Sequence, residues 1–300
     1  MSRLATYQAL WATEDLPWRV PADEKWNLPQ RFQQIATAGF DGVVIDLATG
    51  EVPDAPTAVR LLADNGLRSV VLDFPTSDDL SCGLDYAGTV GADFVVVCGD
   101  VHPLSPAEAA PIVQAWLDAA AAAGIPVQLE THRGTLTNDL SFTAELIDMV
   151  PEVDLSADLS HYVVANELVA LELPLLGRER IESLLARVVG RAVSFQGRVA
   201  TPSQIQVPLN FPQHQPWVDR FRAWWAEGFA RWRTRTAADP AAECAFLCEL
   251  GAWHYPITGE DGEELSDRWQ EAQLLRRWAI ELFAAADPIA AAPATAGLPS

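Results

Sequence analysis

Oxygen-bearing side chains recur at the ends of four apolar, strand-like stretches in the second half of the chain. They are the carboxylates of Glu130, Asp158 and Glu249 and the amide of Gln196. Three carboxylates buried together are costly unless a cation or protons compensate their charge. Hard oxygen ligands favour Mn²⁺ or Mg²⁺, with Co²⁺ and Zn²⁺ as alternatives. We therefore expect these four residues to hold one divalent metal ion.

Each acid taken alone also has a plainer interpretation, in which it caps a helix or pairs with Arg133, Arg198 or solvent. The recurrence of such side chains at four strand ends favours the metal site over these interpretations. His161 lies three residues after Asp158, and Arg198 lies two after Gln196. Both are expected at the rim above the metal, where donors can hold substrate oxygens. For His161, a solvated loop histidine is the competing interpretation.

Eight β-type runs alternate with eight helical stretches, and this order must position those side chains. The predicted strands are 4–10, 42–47, 67–73, 93–98, 125–130, 153–158, 192–199 and 243–250. The predicted helices are 28–38, 55–65, 78–90, 106–123, 140–150, 179–188, 217–233 and 266–283. Ser105-Pro106 and Gly124 carry start and stop signals for the fourth helix, and Ser77-Asp78-Asp79 favours a start for the third.

Eight such units are the count of a single-domain α/β (β/α)₈ TIM barrel, although a doubly wound sheet could share the pattern. The later strands separate the two, because polar and apolar residues alternate with period two. Gln128, Glu130 and His132 share one parity, for example. A polar interior that becomes charged at the C-terminal strand ends favours the barrel. We assign residues 1–285 to it and 286–300 to a disordered Ala/Pro-rich tail.

Two segments resemble a known family. Glu130-Thr131-His132-Arg133-Gly134-Thr135 and Asp158-Leu159-Ser160-His161 are similar to motifs of the xylose isomerase-like TIM-barrel superfamily, which includes sugar isomerases and epimerases, hydroxypyruvate isomerases and inosose dehydratases. The resemblance covers roughly residues 4–284. It implies that Glu130, Asp158 and Glu249 are metal ligands, that the two glutamates are the acid/base pair, and that His161 and Arg198 contact substrate.

The chain departs from that family at two places. The family implies a histidine ligand on strand 7, where this chain has Gln196, whose amide oxygen is a weaker donor than imidazole. The segment after Glu249 also differs, and there Trp253 and His254 either line the pocket or pack a loop. With the inward-facing His132, they complete the expected substrate contacts.

The resemblance implies a metal-dependent isomerase or epimerase of a small polyhydroxylated carbonyl compound. Glu249 would remove a proton to give an enediolate, and Glu130 would return it. A lyase or dehydratase acting on a sugar or keto-glycoside is the alternative, with His161 or His254 as acid. A barrel that has lost catalysis and serves as a binding subunit is a further alternative, and Gln196 keeps it open.

Composition restricts the partners and the chemistry. Twenty Lys+Arg against 41 Asp+Glu give a net charge of −21, which opposes binding to nucleic acid or a bilayer. Lys25 is the single lysine, in a polar segment unsuited to Schiff-base chemistry. Cys98, Cys244 and Cys248 lie in apolar runs and are expected as buried thiols. With no signal-peptide or membrane-spanning run recognised, we expect a cytoplasmic protein.

An aromatic stripe from Trp217 to Trp232 recurs at helical spacing. Core packing is the favoured interpretation, and a homo-oligomer interface is the alternative.

Overall fold

Eight parallel strands form a closed barrel in the structure, a computed structural model that describes residues 2–165 and 177–287. The strands pair in chain order, and the last pairs with the first, with Leu4 opposite Cys244. They are β1 (Arg3–Ala9), β2 (Gly42–Asp46), β3 (Arg68–Asp73), β4 (Val95–Val97), β5 (Val127–Glu130), β6 (Leu155–Ala157), β7 (Ala192–Gly197) and β8 (Glu243–Cys248). The predicted TIM barrel is confirmed.

The described helices surround the barrel. They are α1 (Leu28–Thr37), α2 (Ala55–Asn65), α3 (Ser81–Val90), α4 (Pro106–Ala123), α5 (Leu140–Met149), α6 (Leu159–Ala165), α7 (Arg178–Arg191), α8 (Gln215–Arg235) and α9 (Arg268–Ala285). Helix α4 has its predicted bounds, because the Ser105 hydroxyl accepts from the Glu108 amide and Gly124 ends the helix in a left-handed conformation.

The observed helices differ from the predicted ones at two places. The third helix begins at Ser81 rather than at residue 78, because the Ser77 and Asp79 side chains accept hydrogen bonds from the backbone amides of Asp79 and Ser81. Such local bonds compete with the first helical turn. The short helix α6 was not predicted, since its seven residues directly follow β6. Residues 288–300 of the predicted tail lie outside the described part of the chain.

The apolar core has an outer and an inner layer. The outer layer lies between strands and helices and includes the aromatic stripe of α8, where Trp225 meets Phe246 with ring centroids 5.2 Å apart. Gly228 of α8 lies against the Phe195 ring of β7, so close that a Cβ atom there would clash with it. The core interpretation holds for the buried Trp217, Trp225 and Trp232, whereas Trp224 stays partly exposed.

The inner layer fills the barrel interior with side chains mainly from β1 to β4 and β8. As predicted, Cys98, Cys244 and Cys248 are buried; Cys82 is exposed. Among the described helices, none combines the length and apolar character needed to cross a bilayer.

Candidate active site

The four predicted metal ligands lie together at the C-terminal end of the barrel. Glu130 ends β5, Gln196 lies on β7, and Asp158 and Glu249 directly follow β6 and β8; all four are buried. The predicted inward parity is borne out one layer below, where the Ser194 hydroxyl lies 2.5 Å from Gln128 Oε1 and 2.8 Å from Ser156 Oγ. The alternation along β5, β6 and β7 thus brings their polar side chains to a single point.

The family-like motifs fix the local geometry. Asp158 Oδ1 accepts a 2.8 Å hydrogen bond from the Ser160 amide at the start of α6, and this turn carries His161 back towards the barrel mouth. The Thr131 hydroxyl donates to the backbone oxygen of Asp158 at 2.9 Å. The ends of β5 and β6 are therefore held together by their own loops.

Arg198 supplies a cation at the centre of this cluster. Its Nη2 atom lies 2.5 Å from Asp158 Oδ2 and 3.1 Å from Glu249 Oε2, and its Nε donates to Ser160 Oγ at 3.0 Å. The prediction that Arg198 lies at the rim is therefore wrong: the guanidinium is only 3% exposed and lies between two predicted ligands. The backbone causes this placement, because the Glu249 amide bonds the Gly197 oxygen and sets β7 and β8 side by side.

Gln196 contacts Glu130 through its amide nitrogen, which lies 2.7 Å from Glu130 Oε2. Its oxygen, Oε1, is buried and has no hydrogen-bond partner within the described residues. A buried acceptor without a partner costs about 1–3 kcal/mol. The amide is thus placed to accept a ligand that the protein itself does not provide.

Burial strongly perturbs both glutamates. It raises the pKa of Glu130 well above its ordinary value, and the charges of Glu249 and Asp158 raise it further. Burial likewise raises the pKa of Glu249 to about 8, with Arg198 opposing the shift. At neutral pH without metal both carboxyl groups are therefore mainly protonated, and the Arg198–Asp158 ion pair balances the remaining charge.

Two imidazoles adjoin the carboxylates. The rings of His132 and His161 lie 3.9 Å apart between centroids, and His161 Nε2 is 2.7 Å from Arg198 Nη2. Burial lowers the pKa of His132 to about 4 and that of His161 well below its ordinary value. His161 was predicted at the rim but is only 2% exposed. Both rings are neutral at pH 7 and so are able to accept or ligate.

The donor set fits a divalent cation. Glu130, His132 and His161 each present one ligand atom within 4.8 Å of the others, and the orphaned Gln196 oxygen adds a further donor. Asp158 and Glu249 also direct carboxylate oxygens into the cluster, although Arg198 now engages both. Carboxylate and amide oxygens suit Mn²⁺ or Mg²⁺, and neutral imidazole suits Zn²⁺.

A cavity of about 240 Å³ opens above the cluster. Glu130, His132, Arg198 and Glu249 line it, so these predicted residues share one chamber. Trp253 and His254 do not: they line a neighbouring cavity. Sequence reasoning missed other lining residues, namely Trp11, Asp46, Thr49, Leu72, Phe74 and Tyr255.

Two residues near the cluster could have been found from the sequence. Burial raises the pKa of Asp46 to about 6. This residue lies next to the end of the predicted strand 42–47, on the same parity as Val44, which was a usable signal. Cys98 hydrogen-bonds Glu130 through its thiol. Its position in an apolar run indicated only burial.

Solved sugar epimerases share this architecture. A D-allulose 3-epimerase from Methylomonas sp., in complex with D-allulose, matches with a TM-score of 0.56 and 14% identity over 95% of this chain and 98% of that one. A xylose isomerase-like TIM-barrel protein from Mycobacterium smegmatis, in complex with magnesium, matches with a TM-score of 0.54 and 16% identity over 93% and 97%. The chain shares the TIM-barrel fold of these proteins.

An L-ribulose 3-epimerase is similar to the same extent, with a TM-score of 0.55 and 15% identity over 95% of this chain and 96% of that one. No family model matches the sequence, and no curated protein matches it either. These likenesses show the fold, and a fold of this kind hosts many different functions, so the residues of the site decide the function.

Proposed function

We propose that the protein is a divalent-metal-dependent isomerase or epimerase of a small sugar-like carbonyl compound. One observation carries the proposal: Glu130 and Glu249, each with a raised pKa, line the same cavity from strands β5 and β8, which are not neighbours in the barrel. Acid/base groups in that arrangement can reach a substrate from two sides. The sugar epimerases that share the fold support the substrate class.

The metal would be held by Glu130, Asp158, Glu249 and Gln196 Oε1, an all-oxygen set that suits Mn²⁺ or Mg²⁺ better than the group of Glu130, His132 and His161 does. When bound, it would stabilise negative charge developing on adjacent substrate oxygens. Glu249, once ionised, removes the proton from the carbon that bears the hydroxyl next to the carbonyl. Glu130, steadied by the 2.7 Å bond from Gln196, returns the proton from the other side. Return by the same glutamate to the neighbouring carbon gives isomerisation instead.

Arg198 and the histidines position the substrate in this scheme. The guanidinium presents donors into the cavity, and Nη2 already contacts Asp158 and Glu249. When metal holds those carboxylates, the guanidinium is free to bind a substrate hydroxyl. His132 also lines the cavity and contacts Phe74, with ring centroids 5.4 Å apart.

Deuterium exchange tests the proposal. The protein, loaded with Mn²⁺ in D₂O, is incubated with a panel of ketoses and ketoacids, and incorporation is read by mass spectrometry. We expect exchange with at least one ketose, and a loss of about 10²–10⁴-fold in Glu249→Gln, the range for removal of a general base. Glu152→Gln, a change at an exposed glutamate, is the matched control. Exchange that survives in Glu249→Gln contradicts the assignment of the base.

A non-catalytic binding barrel is the second candidate, and Arg198 is the observation that favours it. A fixed internal cation between Asp158 and Glu249 neutralises the site without any metal. Metal analysis after Mn²⁺ loading and desalting separates the two functions. Below about 0.1 equivalent of Mn²⁺ the binding barrel is favoured; close to one equivalent the enzyme is.

The lyase alternative needs a general acid beside the leaving group. Burial lowers the pKa of His161 well below its ordinary value, so at neutral pH its ring is a neutral imidazole, which is a poor general acid. His254 lines a different cavity. These features argue for proton return to carbon over elimination, and product analysis for a conjugated enone distinguishes the outcomes.

A further inference from the structure

A second cavity of about 330 Å³ lies beside the catalytic one at the same end of the barrel. We call it the outer cavity. Its lining includes Asp15, Trp18, Arg19, Trp253, His254 and Glu263. Its walls come from the β1–α1 and β8–α9 connections, which also supply Trp11 and Tyr255 to the catalytic cavity. Trp253 packs on the apolar cluster that contains Trp11, so the two cavities adjoin.

Backbone strain is concentrated on this wall. Asp15, Arg19 and His254 have φ values of 58°, 57° and 65° and are the non-glycine residues with positive φ in the described ranges. All three line the outer cavity. Each such conformation costs about 1–2 kcal/mol and persists where the surroundings hold it, often at ligand-binding sites.

Hydrogen bonds hold the strained loop in shape. The Lys25 ammonium donates to the backbone oxygens of Asp15 and Pro17 at 2.5 and 2.7 Å, and Trp18 Nε1 donates to the Glu264 oxygen at 2.9 Å. The single lysine of the chain thus has a structural role. A cavity held open in this way loses little conformational entropy when a ligand binds.

The free polar groups of the outer cavity suit hydroxyls. The Asp15 and Glu263 carboxylates have no hydrogen-bond or ion-pair partner within the described residues. The Arg19 guanidinium stacks over the Trp18 ring at 4.4 Å and donates one hydrogen bond, of 3.5 Å, to the Glu264 backbone oxygen, which leaves its other donors available. Trp18 and Trp253 add indole surfaces. Carboxylates and a guanidinium bind pairs of hydroxyls, while indole rings pack on the C–H faces of a sugar.

A phosphate group fits this cavity poorly. Two of its cations are already engaged, because Lys25 bonds two carbonyl oxygens and the buried Arg268 pairs with Glu264 and Glu271. The unpaired acids would repel an anion. The ligand chemistry is therefore a neutral polyhydroxylated ring.

We propose that the outer cavity binds the second sugar unit of a disaccharide or glycoside whose first unit occupies the catalytic cavity. This inference rests on the proposed function, since it names the size of the substrate of that same site. The catalytic cavity, at about 240 Å³, is small for more than one ring, and the adjoining cavity provides the room for a second.

Binding of D-fructose is compared with that of three disaccharides that carry fructose as one unit, namely turanose, lactulose and isomaltulose. Affinities are measured by calorimetry on the Mg²⁺-loaded protein. We expect at least one disaccharide to bind about tenfold more tightly than D-fructose. Asp15→Asn should remove most of that gain and leave D-fructose binding unchanged, because asparagine tolerates positive φ while losing the charge. Asp64→Asn, a change at an exposed aspartate on α2, is the control.

Equal affinity for all four sugars, or equal weakening of D-fructose and disaccharide by Asp15→Asn, overturns the outer site. Deuterium exchange on the same samples keeps the two proposals separate. Exchange into D-fructose without a disaccharide preference rejects the outer site and retains the isomerase. A disaccharide preference that Asp15→Asn abolishes, without exchange into any sugar, supports the outer site and rejects the isomerase.

Discussion

Arg198 Nη2 lies 2.5 Å from Asp158 Oδ2, and both side chains are almost fully buried at the mouth of the barrel. This pair gives the metal-free site a cation of its own. A metal ion that takes Asp158 and Glu249 as ligands must first displace the guanidinium from both. In the proposed function, Arg198 would therefore compete with the metal for the same two carboxylates.

Replacement of Arg198 should tighten metal binding. In Arg198→Met the competing cation is gone, so we expect Mn²⁺ to bind at least tenfold more tightly, as measured by electron paramagnetic resonance of free Mn²⁺. The metal-free variant should lose about 3–5 kcal/mol of stability, because a buried carboxylate loses its partner. Arg133→Met is the matched control, since Arg133 lies over the Tyr255 ring at 5.9 Å. Unchanged or weaker Mn²⁺ binding in Arg198→Met contradicts the competition.

Stability without metal should fall as the pH rises above neutrality. The pKa of Glu249 is about 8 in the folded chain and ordinarily 4.5, so the folded state holds a proton that the unfolded state has lost. Its contribution is complete below about pH 4.5 and is lost as the pH rises through 8.

The stability is best measured between pH 6.5 and 8. Below pH 6.5 the lowered pKa of His132, about 4, makes the stability increase with pH and so opposes the effect of Glu249. Each carboxyl group that keeps its proton only in the folded state contributes up to about 1.4 kcal/mol per pH unit to the slope. Glu130, whose pKa is also raised, adds to the contribution of Glu249. Thermal unfolding in EDTA measures the slope. Glu249→Gln should reduce the slope without abolishing it, since an amide does not titrate, and an unaltered slope in that variant would show that Glu249 does not contribute.

The residue at position 196 should set the metal affinity. Gln196→His replaces an amide oxygen by a stronger imidazole donor, and we expect tighter Mn²⁺ binding. Gln196→Leu removes the orphaned oxygen and should weaken it by about tenfold or more. Calorimetric titration of the two variants against the parent protein gives the order. If leucine and glutamine bind Mn²⁺ equally, the amide is not a ligand.

A pair of glycines tests the packing that supports β7. A Cβ atom at Gly228 would lie 2.3 Å from Phe195 Cε1, so Gly228→Ala should destabilise the fold by about 1–3 kcal/mol. At Gly88 in α3 the nearest atom would be 3.7 Å away, so Gly88→Ala should stabilise by about 0.5–1 kcal/mol. Urea denaturation compares the two. Similar effects of both changes would be inconsistent with the close α8–β7 contact.

Period-two alternation was enough to predict the inward direction of Glu130, Asp158 and Gln196, because each strand end carries a fixed side-chain parity. Parity could not predict the depth of Arg198. Its long side chain could point outward from the rim or fold back onto Asp158, and only the paired ends of β7 and β8 decide this. Parity also could not predict the position of Trp253, because this residue lies in the connection between β8 and α9, where the sequence shows no periodicity.

The resemblance of two short motifs was informative for a local reason. In Asp158-Leu159-Ser160-His161, the Asp158 side chain accepts a hydrogen bond from the Ser160 amide at the start of α6. Four consecutive residues therefore determine the local geometry. The lone lysine was the opposite case. Its polar sequence context argued against Schiff-base chemistry at Lys25. Its hydrogen bonds to the backbone oxygens of Asp15 and Pro17 could not be predicted, because they depend on an irregular loop that has no sequence periodicity.

The barrel interior is divided unequally along the chain. Its apolar lining comes largely from β1 to β4, whereas most of its carboxylates, the amide and the guanidinium lie on β5 to β8 or directly after them. Asp46 of β2 is the acidic exception in the first half. Charge and shape are thus encoded largely in separate halves of the gene. We expect substitutions at the apolar positions of the first half to resize the chamber while leaving the charged cluster of the second half in place.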